Sequence, residues 1–189
     1  MNRTSAFAVA VFCGSAPGRN PVHARVAQAL GTEIARRGWR LVYGGGRVGL
    51  MGVMADAALA AGGEVVGVIP RFLRTREVAH AGLTRLEIVE TFAERKQRMG
   101  ELADAFLALP GGIGTLDEIF ETVSWSQIGV QRKPNALLNV AGFYDVLVAH
   151  LDHAVGEGYI RAEHRALLTV GSEPAALLDE LHRTANRRE

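Results

Sequence analysis

The sequence predicts an α/β fold: one parallel sheet with helices on both faces, in a single Rossmann-like domain spanning residues 1–189. Three observations predict it. Short apolar runs alternate with longer segments of helical periodicity, the pattern that right-handed crossovers onto a parallel sheet produce. Glycine-rich turns follow three of the runs, where an open parallel sheet binds its ligands. The 189 residues are about half apolar, enough for one core and no more.

Ala6–Cys13 is β-branched and aromatic and stops at Gly14-Ser15-Ala16-Pro17-Gly18, so it reads as a buried first strand. Val22–Arg37 places Val22, Val26, Ala29, Leu30 and Ile34 at helical spacing and ends at Gly38. Arg40–Tyr43 is a second strand running into Gly44-Gly45-Gly46. A helix over Leu50–Ala61 follows, then a strand over Glu64–Ile69 ended by Pro70. The segment Arg71–Leu83, charged and weakly periodic, is the one expected to move. Leu86–Val89 is a strand, Thr91–Leu102 a helix, and Ala105–Leu109 a strand entering Pro110-Gly111-Gly112. A helix over Gly114–Ile128, a strand over Asn135–Val140, and helices over Tyr144–Val155 and Glu173–Arg183 complete the chain. No internal repeat, low-complexity tract or interdomain linker interrupts the series.

Charge excludes some partners. With 21 basic and 20 acidic side chains the net charge is +1, which argues against nucleic acid and membrane surfaces, since both require a broad field of one sign. Cys13 is the sole cysteine, so neither an intrachain disulfide nor a cysteine-based zinc site can form. No apolar run approaches the ~18 residues of a membrane span, and Ala6–Cys13 lacks the flanks of a signal peptide. A soluble cytoplasmic protein is expected. His150 and His153 form an HxxH pair with no further ligands nearby in sequence and read as solvated, so no metal is expected.

The third glycine turn carries the most specific signal. Glycine lets the backbone approach an anion, the first amides of the next helix donate to it, and Thr115 adds a hydroxyl. A tight turn capped by Thr115 fits the same residues equally well. Beyond it, Leu116, Ile119, Phe120 and Val123 share a core stripe, while Glu118, Glu121, Thr122 and Trp125 share another that points off the core. Dipole compensation accounts for Asp117 and Glu118 near a helix start, but not for an aromatic on the stripe of Glu118. On the preceding helix Phe92, Arg95, Met99 and Leu102 form one face, and Arg95 stands where a leucine belongs. Such an arginine either snorkels to water or meets a buried anion.

Pro110–Glu118 (PGGIGTLDE) resembles the PGGxGTxxE signature of the Lonely Guy (LOG) phosphoribohydrolases, and Arg95-Lys96-Gln97-Arg98-Met99 resembles their RKxxM segment. The similarity runs from Val11-Phe12-Cys13-Gly14-Ser15 through Tyr43–Gly46, Gly49–Gly52 and Gly67–Pro70 to Leu137-Leu138-Asn139, nearly the whole chain. The resemblance implies hydrolysis of the base–ribose bond of cytokinin riboside 5′-monophosphates or AMP, without a cofactor, by a homodimer. It implies Arg95 and Glu118 as the catalytic pair and Glu77 and Lys96 as substrate contacts. Gly111, Gly112, Ile113, Gly114, Thr115, Leu116 and Asp117 would form the phosphate-binding turn, and Ser15 and Gly45 are added from the first two turns. Asp117 departs from the glutamate of many relatives, and Val123-Ser124 from their frequent threonine.

Three other functions were weighed on the residues. A pyridoxal-dependent lysine decarboxylase needs a Schiff-base lysine, and only Lys96, already in the RK motif, and Lys133, in a turn before proline, exist beside nineteen arginines. A nicotinamide oxidoreductase is disfavoured because no GxGxxG follows the first strand and the second ends at Tyr43 instead of an acid. A non-catalytic nucleotide-binding or carrier protein of this fold would need the phosphate cradle but no catalytic pair.

Overall fold

The computed structural model describes residues 6–74 and 79–187. Seven parallel strands form one sheet in the order β4-β3-β2-β1-β5-β6-β7. These are β1 (Ala8–Phe12), β2 (Arg40–Tyr43), β3 (Glu64–Pro70), β4 (Arg85–Val89), β5 (Ala105–Ala108), β6 (Asn135–Leu138) and β7 (Leu168–Gly171). The helices are α1 (Val22–Arg36), α2 (Gly49–Ala60), α3 (Phe92–Leu102), α4 (Ile113–Gln127), α5 (Asp145–Gly156), α6 (Ala162–Arg165) and α7 (Pro174–Asn186). The six strands expected from sequence are all present. β7 and α6 were not anticipated, and the strand at Asn135 stops at Leu138, with Val140 in a 3-10 turn.

Each central strand is buried on both faces. Along β1, Val9 and Val11 join the core under α1, α2 and α7, while Ala8, Ala10 and Phe12 join the core under α3, α4 and α5. Two cores on opposite sides of one sheet are what an all-parallel sheet needs to hide its apolar faces.

The order of strands places the site. From β1 the chain builds outward through β2, β3 and β4, then crosses to the other side of β1 to add β5, β6 and β7. The loops leaving β1 and β5 therefore diverge and open a crevice at the carboxyl edge. Gly14 bridges the gap: its N–H donates to Pro110 O (3.1 Å) and its carbonyl accepts from Leu50 N–H (3.0 Å), tying three loops together. Any larger residue at Gly49, where φ is +61°, would run into the Ser15 backbone.

Part of the segment expected to move is held in place. Arg71–Leu73 forms a 3-10 turn, Ala79 pairs with Gly46, and His80 N–H donates to Gly45 O (3.0 Å).

Candidate active site

Helix α3 begins with a pair of side-chain caps. Thr91 Oγ1 accepts from Glu94 N–H (3.1 Å), and the Glu94 carboxylate reaches back to accept from Glu90 N–H (2.8 Å). This start turns Arg95 and Met99 inward. Arg95 is 9% exposed and does not snorkel, whereas Phe92, expected on the same buried face, is 47% exposed. The departure follows from position: Phe92 is the first helical residue, above the sheet edge, where it packs against the Phe72 ring (centroids 5.3 Å).

The Arg95 guanidinium has a constructed seat. Its Nε donates to Val68 O (3.1 Å), and its Nη2 lies 3.5 Å from Glu118 Oε1. A methyl on Gly44 would overlap Nη2, so the second glycine turn makes room for this side chain. Both side chains are largely shielded from water, with exposures of 10% and 12%. The Glu118 stripe, which the sequence sets off the core, is not left to solvent. It faces α3, and Thr122 on it is buried, donating to Ile119 O (2.8 Å).

Helix α4 opens on Gly112 with no side-chain cap, and Leu116 N–H is the first amide given to an intrahelical carbonyl (Gly112 O, 3.2 Å). Thr115 does not cap the helix; it is buried beneath Gly111. The first-turn amides and the Arg95–Glu118 pair open onto one cavity of about 320 Å³. Of the residues named from sequence, Ser15, Arg95, Gly112, Ile113, Gly114, Thr115 and Glu118 line it. Gly111 lines a neighbouring cavity of about 310 Å³ with Ser15, Arg19 and His23.

Four others stand back from this lining. The Leu116 side chain packs into the core, and Gly45 lies against β3 with its carbonyl taken by His80. Lys96 joins α3 to α4, its Nζ lying 3.0 Å from Asp117 and 3.1 Å from Glu121. Burial opposes the Lys96 charge, but those two hydrogen bonds outweigh it and hold its pKa above the ordinary lysine value. Glu77 lies outside the described residues.

The structure adds Cys13, Gly14, Met51, Leu73 and Phe92 to the lining. Cys13 directly precedes the first glycine turn, a position that could have marked it; Leu73 carried no signal. Burial first, then the Glu118 charge, pushes the Cys13 thiol far above its usual pKa, so it faces the cavity as a neutral group.

Neither lysine fits Schiff-base chemistry in this cavity, because neither lines it. Lys133, expected in an open turn, is half-buried and donates to Gly100 O (2.6 Å), and burial lowers its pKa. It borders a separate apolar cavity of about 540 Å³ between α3 and α4, shared with Trp125, which is half-buried. Among the described residues, no group of three or more His, Cys, Asp or Glu side chains could hold a metal ion. His150 and His153 are exposed.

Comparison with known proteins is decisive for the family. A family model described as "Possible lysine decarboxylase" matches residues 51–181. A cytokinin riboside 5′-monophosphate phosphoribohydrolase of Rhodococcoides fascians is 50% identical over 163 residues, 86% of this chain and 82% of the relative. The chain belongs to the LOG family. Another LOG relative, the Arabidopsis thaliana enzyme LOG7 of the same description, is 42% identical over 173 residues, covering 92% of this chain and 80% of its own. Solved structures share the LOG fold at lower identity. The molybdenum cofactor binding protein of Rippkaea orientalis superposes with a TM-score of 0.68 at 21% identity, covering 97% of this chain and 98% of its own. The Moco carrier protein of Chlamydomonas reinhardtii gives 0.70 at 19%, covering 96% and 99%. At these identities the likeness is one of fold.

Proposed function

We propose that this chain hydrolyses the N-glycosidic bond of purine nucleoside 5′-monophosphates, AMP or cytokinin riboside 5′-monophosphates, releasing free base and ribose 5-phosphate. One observation carries the reading: a largely shielded carboxylate, paired with a buried arginine, opens onto the same cavity as an uncapped helix N-terminus. The amides of Gly112, Ile113 and Gly114 and the Thr115 hydroxyl supply donors for a phosphate. Breaking the bond from C1′ to the base nitrogen sends its electron pair to the base and leaves positive charge on the ribose, which an adjacent carboxylate favours. Glu118 takes that role and accepts a proton from the attacking water, whose oxygen bonds to C1′. The leaving base gains a proton, so water is split between the two products and the step balances. Arg95, 3.5 Å away, supplies the counter-charge to the Glu118 carboxylate and aims it. Cys13, neutral beside Glu118, neither competes for the proton nor adds negative charge.

The 189 residues act as one domain of a cytoplasmic homodimer. Among the described residues, no helix is long and apolar enough to cross a membrane. Exposed Ile128 and Val130, at the end of α4, supply apolar surface for a second copy.

Chromatography of AMP and adenosine incubated with the protein tests the activity. Adenine released from AMP and not from adenosine is expected. Equal release from both would remove the phosphate role of the α4 turn. Stoichiometric AMP binding without adenine would mark a carrier.

A further inference from the structure

His80 stands outside the cavity, yet it is tied at both ring nitrogens. Nδ1 accepts from Gly82 N–H (3.1 Å), which leaves the ring proton on Nε2 to donate to Asp56 Oδ1 (2.8 Å) on α2. The side chain is 10% exposed although its partner is 71% exposed, so the imidazole is fixed against the helix while Asp56 faces water. The backbone of the same residue grips the second glycine turn. His80 N–H donates to Gly45 O (3.0 Å), and Ala79 beside it pairs with Gly46.

That turn is the wall of the Arg95 seat. Gly44 lies against Nη2 of Arg95 with no room for a methyl. Gly45 adopts φ +76° and packs on Gly67, next to Val68, whose carbonyl accepts from Arg95 Nε (3.1 Å). Hydrogen bonds run from Asp56 to His80 and from His80 to Gly45, and Gly44, the residue before Gly45, lies against Arg95, whose pair faces the cavity.

We propose that His80 is a positioning residue: anchored to Asp56, it clamps the Gly44–Gly46 turn and so holds the Arg95 guanidinium in register with Glu118. The proposal rests on the catalytic reading of that pair for its kinetic consequence, but not for its structural one. Among the described contacts, loss of the Asp56 anchor leaves the His80 ring tied only to Gly82, within its own short loop. The glycine turn is then free to shift by the fraction of an ångström that separates a poised pair from an idle one.

Two substitutions divide the ring's contacts. His80→Gln places its amide nitrogen where Nε2 stood and keeps the Asp56 tie. His80→Asn retains only the acceptor toward Gly82 and loses that tie, and Asp56→Ala removes it from the other side. Turnover and KM for AMP are measured alongside the Arg95 Nε–H signal in a 15N spectrum, assigned by its loss in Arg95→Lys. His80→Gln is expected to stay within about twofold of the parent, while His80→Asn and Asp56→Ala each lose about tenfold or more in kcat with KM nearly unchanged. The Arg95 signal should shift in those last two alone. An unshifted Arg95 signal in Asp56→Ala overturns the proposal whatever the kinetics, as does a parental kcat in His80→Asn. If His80→Asn does not fold, Asp56→Ala decides, since its side chain is largely solvent-facing. A parent protein that releases no adenine would instead refute the catalytic reading, and the spectrum would still decide the role of His80.

Discussion

Arg95 and Arg98 are one turn apart on the same helix, and contact length ranks them in the reverse of their importance. Arg98 makes the shorter bonds: Nε to Glu87 at 2.6 Å, Nη2 to the same carboxylate at 3.2 Å, and Nη1 to Glu101 at 2.9 Å. Arg95 meets Glu118 at only 3.5 Å. Burial reverses the ranking. The Arg98 side chain is 37% exposed, so water screens its pairs, whereas Arg95 and Glu118 are each about nine-tenths shielded. In water a short ion pair is worth little; out of water each charge depends on its partner, and the pair can act on charge that develops beside it. Bond length is therefore a poor guide to which arginine matters here.

The comparison is broken most sharply at the buried pair. Glu118→Gln should keep the fold and lose about a hundredfold or more in AMP turnover, read as adenine by chromatography, because one positioned transition-state charge is removed. Arg95→Ala should match that loss and also melt earlier by calorimetry, since breaking a shielded ion pair by removing one member costs about 3–5 kcal/mol. Full activity in either variant would remove the pair from the chemistry.

A smaller effect is expected from Gly44→Ala. The new methyl displaces the end of a flexible side chain and not the backbone, so the melting temperature should change little while kcat falls by about tenfold or more. A parental kcat would show that the guanidinium finds a second productive seat.

The smallest effect should come from Arg98→Ala. Its pairs are screened, so stability should fall by about 1 kcal/mol or less, with turnover unchanged. The pH dependence sharpens this. Hydrogen bonding from Arg98 holds the Glu87 pKa below its ordinary value, so the stabilisation is fully present above that ordinary value and is lost as pH falls through the lowered one. Melting temperatures of parent and variant should converge on acidification. A gap that persists in acid would mean that Arg98 acts through packing.

Much of the fold was legible because strand and helix periodicities are local. β7 was not: it has four residues, includes a threonine and a glycine, and only Leu168 is fully buried, so neither alternation nor a continuous apolar run announces it. The site was legible in part for the same reason. Arg95 stood out as a charge on an apolar stripe, and the third glycine turn as a phosphate cradle, both within a few residues of sequence. Leu116 and Gly45 were drawn in by neighbouring motifs, yet packing turns one into the core and sets the other against β3.

The sequence by itself determined the alternating elements, the three glycine turns on one edge, and the one arginine, Arg95, that an apolar stripe would not tolerate without reason. Only the tertiary structure decided that these meet. Reversal of strand order at β1 sets Gly14 against Pro110, and the Arg95 seat is assembled from Gly44 on β2's turn, Val68 on β3 and Glu118 on α4. Contacts between segments so far apart leave no period in the chain, because they are selected by how whole layers pack and not by the spacing of neighbours.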